Sequence, residues 1–191
     1  MADPRGASDS GRPAGGFAVR IYLTGFMGAG KSTVGAALAR SLGWQLVDLD
    51  AEIERLAGAT VREIFARRGE AEFRHQEREL LLATAGRDAV VVATGGGTLA
   101  DPANLATARE AGTVVWLHPA FETLMRRIGP LGKEDRPLFR DETSAFALYR
   151  DRLPHYRAAD LTVDIGPDET PAEIAARIRL SLRLPEAACS T

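Results

Sequence analysis

Residues Gly25-Phe26-Met27-Gly28-Ala29-Gly30-Lys31-Ser32 fit the pattern G-x-x-x-x-G-K-[ST]. This pattern commits the chain around it to one local path. Glycines at these positions let backbone N–H groups turn inward around a phosphate with no Cβ in the way. Lys31 has the reach for β- and γ-phosphates, and the Ser32 hydroxyl can ligate Mg²⁺. The flanks supply the required context. Val19 to Thr24 is a short β-rich run, and residues 33–42 place Val34, Leu38 and Leu42 four apart, as on one helix face. The expected unit is strand, phosphate-binding loop, helix.

Beyond this unit the chain of 191 residues alternates strand-like and helix-like segments. Expected strands are 45–48, the continuously apolar 89–93, 113–117 and 161–163. Expected helices are 50–56, 60–68, 70–84, 102–111, 121–128, 144–153 and one capped by Thr170 with Ile174, Ile178 and Leu182 on a face. Thr60 and Glu63 are spaced as a capping box, and Pro154 is expected to end its helix. Such alternation predicts an α/β fold, with a five-stranded parallel sheet doubly wound in three layers. In these sheets ligands sit beyond the carboxyl ends of the strands. The expected division is a Gly/Ala/Pro/Ser-rich disordered extension at 1–16, one domain over 17–184 with a mobile lid at about 129–142, and a tail at 185–191.

The candidate residues gather at those strand ends. Asp48 and Asp50 are two apart, so in an extended segment both face one site. The lesser alternative is a turn aspartate followed by Asp50 as a helix N-cap. Glu77 falls on the apolar face defined by Phe73, Leu80, Leu81 and Thr84, and a carboxylate there needs a partner. Arg74, three residues earlier, can supply it. The pair then either holds a guanidinium for bidentate contact with a carboxylate or is a surface ion pair. Gly95-Gly96-Gly97 allows close approach of backbone to a ligand, or makes a tight turn. Arg136, in the polar loop, can neutralise charge near a γ-phosphate or lie in a solvated connection. Arg152 is placed to complement a helix C-terminus.

Composition sets outer bounds. A net charge of −2 gives no general attraction to nucleic acid or membrane, so an anionic ligand needs local cations. Cys189 is the only cysteine, which excludes an intrachain disulfide and suits a reducing cytosol. The run 89–93 ends without an acidic residue, and there is no Asn-Lys-x-Asp motif. Both absences count against a motor ATPase and a GTPase switch. A small kinase acting on a small hydroxylated acceptor remains.

Taken in order, the glycine loop through Gly35, Asp48-Leu49-Asp50, Phe73-Arg74 with Glu77, Gly95-Gly96-Gly97, Arg136-Pro137-Leu138 and Arg152 through Tyr156 resemble the shikimate kinase family. The resemblance covers roughly residues 19–182 and implies a nucleoside-monophosphate-kinase type of sheet with a lid. It implies ATP-dependent phosphorylation of the 3-hydroxyl of shikimate, a step toward chorismate and the aromatic amino acids. Carried over, Gly28, Ala29, Gly30, Lys31, Ser32, Thr33 and Arg136 bind ATP. Asp50, Arg74, Gly96, Gly97 and Arg152 bind shikimate, with Glu77 bracing Arg74. Ser32, with Asp48 behind it, organises Mg²⁺, and Lys31, Asp50 and Arg136 serve catalysis. Arg127 and Pro171 are candidates to flank the adenine. The expected partners are shikimate and ATP, with no nucleic acid or membrane, for a cytoplasmic monomer. Competing readings are a gluconate kinase, a nucleoside monophosphate kinase and a nucleotide-binding regulator without turnover. Asp48-Leu49-Asp50 together with the triple glycine favours shikimate over gluconate.

Overall fold

The structure is a computed structural model that describes residues 20–129 and 141–187. Five strands form one sheet: β1 (Arg20–Thr24), β2 (Gln45–Asp48), β3 (Val90–Ala93), β4 (Thr113–Pro119) and β5 (Leu161–Ile165). Their order is β2-β3-β1-β4-β5 and every pairing is parallel. The helices are α1 (Lys31–Leu42), α2 (Leu49–Ala57), α3 (Val61–Thr84), α4 (Pro102–Ala111), α5 (Phe121–Ile128), α6 (Glu142–Arg157) and α7 (Pro171–Ser181).

Strand alternation divides the core into two layers. Ile21, Leu23, Val91 and Val115 pack with Val34 and Leu38 of α1 and Ile174 and Ile178 of α7. Tyr22, Val90, Val92 and Val114 face the other way, onto Leu81 of α3 and Ala108 of α4. Helices thus cover both faces, which is why β3 is apolar without interruption. A third cluster of Ile53, Ile64 and Phe73 joins α2 to α3.

Helix ends follow their local chemistry. Thr60 makes the expected capping box with Glu63, and Thr170 makes one with Glu173. The expected helices 60–68 and 70–84 form a single run, α3, broken at Gly69, whose φ of 82° and ψ of 168° are non-helical. One expected helix end fails. Pro154 does not end its helix, because α6 continues to Arg157. The proline N cannot donate to the Arg150 carbonyl, but Arg150 and Pro154 lie on the exposed side. Tyr149, Arg152 and Tyr156 form a buried stripe opposite, and its packing carries the helix through.

Sheet register positions the site. Asp48 pairs with Ala93, and Ala93 pairs with Leu23, so the loops leaving β2, β3 and β1 emerge side by side at one level. The loop after β1 begins at Gly25, with φ of 140°, where an added Cβ would meet the Leu117 carbonyl oxygen at 2.6 Å. Both the backbone angle and the space exclude a side chain. Gly25→Ala is expected to cost about 3 kcal/mol and to lower the melting temperature by roughly 8 °C, which differential scanning calorimetry would measure.

Candidate active site

The glycine loop is built by left-handed backbone at Gly28 (φ 79°) and Gly30 (φ 92°), and Gly30 is the N-cap of α1. Lys31, Ser32 and Thr33 are then the first three residues of the helix, where backbone N–H groups lack intrahelical partners and the dipole favours an anion. Lys31 Nζ donates to the carbonyls of Gly25 (2.9 Å) and Phe26 (3.2 Å), which holds the ammonium against its own loop. Thr33 Oγ1 donates to the Gly30 carbonyl at 3.0 Å. Ala29 is buried and its N–H donates to the Phe26 carbonyl. Its side chain therefore belongs to the loop's support.

The two aspartates are arranged differently from the expected extended pair. β2 ends at Asp48 and α2 begins at Leu49, so Asp50 lies in the first turn of a helix. It is Asp48 that caps α2, accepting from the Ala51 N–H at 3.2 Å. Asp50 is thereby freed to turn inward. Burial first, then the nearby Glu77 carboxylate, pushes its carboxyl up to about 6; Lys31 and Arg74 work against this and Asp48 adds to it. Asp50 Oδ1 and Glu77 Oε1 both lie beside Gly95.

Arg74 and Glu77 are not a surface pair. Glu77 is fully buried on α3, and its Oε2 accepts from Arg74 Nη1 at 2.5 Å. Arg74 also donates through Nη2 to the half-exposed Glu70 at 3.0 Å. Burial alone would weaken the arginine's charge, but the two glutamates more than offset it and hold its pKa above the ordinary value. Arg152, on α6, is buried as well. Burial pushes the neighbouring Tyr156 hydroxyl up to about 12 against the pull of the Arg152 charge.

The triple glycine is where these groups meet, and each glycine has a separate reason. A Cβ at Gly95 would stand 2.3 Å from Glu77 Oε1, 2.9 Å from Thr98 Oγ1 and 3.0 Å from Asp50 Oδ1. A Cβ at Gly97 would stand 2.9 Å from Arg152 Nη2 and 3.0 Å from Arg74 Nη2, so two guanidinia flank one point. Gly96 lies against the backbone of Met27 and Arg152 Nη1, and its carbonyl accepts from Tyr156 Oη at 2.6 Å. The β3 loop therefore touches both the glycine loop and the two arginines.

Of the expected site residues, Lys31, Asp50, Arg74, Gly96, Gly97 and Arg152 are brought together. Ser32 and Thr33 open α1 beside them. Arg127 on α5 reaches the phosphate loop, since its Nη1 would be 3.9 Å from a Cβ at Gly30. Pro171 is the exposed first residue of α7. Arg136, most of the expected lid, the extension at 1–16 and Cys189 lie outside the described residues. Thr98 was not singled out from sequence, and Gly95 and Tyr156 were read only as members of longer segments with no contact of their own assigned. Gly95 accommodates the carboxylates, Thr98 bonds Glu77, and Tyr156 bonds the Gly96 carbonyl. Tyr156 follows Arg152 by four and would share its face on a continuous helix. The expected stop at Pro154 concealed that relation.

Comparison with known proteins agrees with this geometry. The family model described as shikimate kinase matches residues 27–183. Curated shikimate kinases of Chlorobium chlorochromatii and Moorella thermoacetica are 44% and 42% identical; the alignments cover 75% and 85% of this chain and 80% and 94% of the relatives. The structure of shikimate kinase from Acinetobacter baumannii, in complex with shikimate, superposes with a TM-score of 0.81 at 37% identity, covering 87% of this chain and 94% of that one. A gluconokinase from Sinorhizobium meliloti 1021 shares only the fold, at 22% identity and a TM-score of 0.58 over 87% of this chain and 93% of its own. With the matched model spanning every described element from α1 to α7, the chain belongs to the shikimate kinase family.

Proposed function

We propose a division of labour within the activity of this family, the ATP-dependent phosphorylation of the shikimate 3-hydroxyl. Arg74 and Arg152 grip the acceptor's carboxylate, Asp50 receives its reacting hydroxyl, and the α1 loop holds the phosphates of ATP. The convergence of two guanidinia on Gly97, in the same pocket as one raised carboxyl, is the observation behind this assignment. An acceptor carrying both a carboxylate and hydroxyls needs those two kinds of group close together, and the forked geometry of arginine suits a carboxylate.

The amides of Gly28, Gly30, Lys31, Ser32 and Thr33 and the Lys31 ammonium cradle the phosphates, and Ala29, whose N–H is engaged by the Phe26 carbonyl, shapes the loop that presents them. Gly96 and Gly97 line the acceptor through backbone. Lys31 is close enough to Asp50 to influence its ionisation, so the donor and acceptor halves meet between them. Asp50 orients the hydroxyl and takes its proton as transfer proceeds. In a loose transition state this positioning supplies much of the effect. Ser32 and Asp48 offer only oxygen donors, which suits Mg²⁺ with its retained waters. When bound, the ion neutralises phosphate charge. Arg136 is assigned to the phosphates as well, and residues 17–184 to one catalytic domain.

We further propose a cytoplasmic monomer with no nucleic-acid or membrane partner. The net charge of −2 supports the lack of a nucleic-acid or membrane partner, and among the described residues no helix is long and apolar enough to cross a membrane. The acceptor is tested by coupled ADP release with ATP and Mg²⁺, offering shikimate, gluconate and AMP separately. Turnover is expected with shikimate alone. Turnover with gluconate or AMP in its place would overturn the carboxylate-and-hydroxyl assignment.

A further inference from the structure

Glu77 has two carboxylate oxygens, no exposure to water and two different donors. Oε2 takes the Arg74 guanidinium, while Oε1 takes the Thr98 hydroxyl at 2.6 Å. Thr98 is itself fixed. It is buried at the start of a 3₁₀ turn, Thr98–Ala100; its N–H donates to the Gly95 carbonyl, and its own carbonyl accepts from Asn104 Nδ2 at 3.0 Å. Oγ1 also lies 3.2 Å from the Gly95 carbonyl, but its single proton favours the shorter, charge-assisted contact.

We infer that Thr98 is a positioning residue for the acceptor's carboxylate: its hydroxyl fixes Glu77, and Glu77 fixes Arg74. This rests on Arg74 as part of the grip described above. Without the hydroxyl, Oε1 is a buried acceptor with no donor, crowded at Gly95 by an oxygen of Asp50. The carboxylate then turns to find a partner, and Oε2 moves with it. Arg74 is left to Glu70, which is half exposed and holds a guanidinium weakly. The arginine's second anchor is thus in the β3 loop, across from the helix that carries it. Among the described residues the hydrogen bonds of Thr98, Glu77 and Arg74 include none to the glycine loop at 25–30, so the effect falls on the acceptor.

The test is steady-state kinetics on the full chain for Thr98→Val, Thr98→Ser, Arg74→Ala and the Thr98→Val/Arg74→Ala double variant, with melting temperatures alongside. Thr98→Val keeps the shape and removes the donor, and Thr98→Ser keeps the donor. The KM for shikimate is expected to rise roughly tenfold in Thr98→Val, with the KM for ATP within about twofold. Thr98→Ser is expected to restore the parent value. In the Arg74→Ala background Thr98→Val should add nothing, as expected for residues acting through one another. A parent-like shikimate KM in Thr98→Val, an equal rise for both substrates, or full additivity in the double variant would overturn the inference. If Thr98→Val melts below the assay temperature, a failure of Thr98→Ser to retain the parent shikimate KM overturns it instead. Arg74→Ala alone tests the grip. An unchanged shikimate KM there would overturn the assignment of Arg74, and does so separately from the behaviour of Thr98.

Discussion

Replacing Asp50 with Asn is expected to lower kcat at least a hundredfold, leave ATP binding intact and make the protein more stable. Loss of a positioned proton acceptor costs roughly 10²- to 10⁴-fold. The stability gain follows from the same environment. The carboxyl is raised from 3.8 to about 6 in the folded protein, so the native state binds its proton more tightly than the unfolded chain. The stabilisation this provides is complete below about pH 4 and is lost as pH rises through 6. At pH 7.5 the native state bears the full penalty of a crowded anion, on the order of 3 kcal/mol. Asn carries no charge and avoids it. The melting temperature of Asp50→Asn, without nucleotide or Mg²⁺, should exceed the parent's by several degrees at pH 7.5. The difference should shrink toward zero near pH 4. For the parent, kcat/KM for shikimate should fall about tenfold per pH unit below 6. Equal melting temperatures at both pH values would remove the electrostatic account of Asp50, and near-normal kcat would remove it from the mechanism.

Arg152→Met is expected to raise the KM for shikimate by about a hundredfold without lowering the melting temperature. Arg152 is buried against Tyr156 and the β3 loop, and among the described residues no carboxylate pairs with it. A guanidinium kept there without a counter-ion is costly, and a charge-assisted bidentate contact with an incoming carboxylate offsets that cost. Methionine fills similar space without the charge, so the fold loses a burden along with the binding. Titration with a nucleotide analogue should show unchanged affinity. A fall of more than a few degrees in melting temperature would show that Arg152 serves the fold instead. The opposite case is Arg74, which the protein supplies with two carboxylates of its own.

These two residues illustrate which parts of the molecule were legible in the sequence. The strand–loop–helix unit, the buried β3 and the bounds of α4 and α5 followed from periodicity and from Gly, Pro and cap chemistry, all local signals. Glu77 was legible because a carboxylate on an apolar face has few explanations. The geometry of Asp48 and Asp50 was not, since a strand that turns into a helix between two residues changes which of them caps and which faces inward. Pro154 misled because its local penalty is outweighed by the burial of Tyr149, Arg152 and Tyr156, which are set against residues distant in sequence. Thr98, and the crowding of Gly95 by carboxylates, were invisible for a related reason. Their importance comes from α3, about twenty residues away along the chain and in direct contact in space.

The crowding at Gly95 constrains how such an enzyme could be redesigned or could diverge. Every substitution of glycine adds at least a Cβ, and that atom would fall within 3.0 Å of three oxygens belonging to Glu77, Thr98 and Asp50. The loop cannot be the first place to change. A lineage moving toward an acceptor without a carboxylate must first shorten Glu77 on α3, whose oxygen would stand nearest the new Cβ, before the glycine position can vary. The order of steps is set by geometry: the helix changes first and the loop follows.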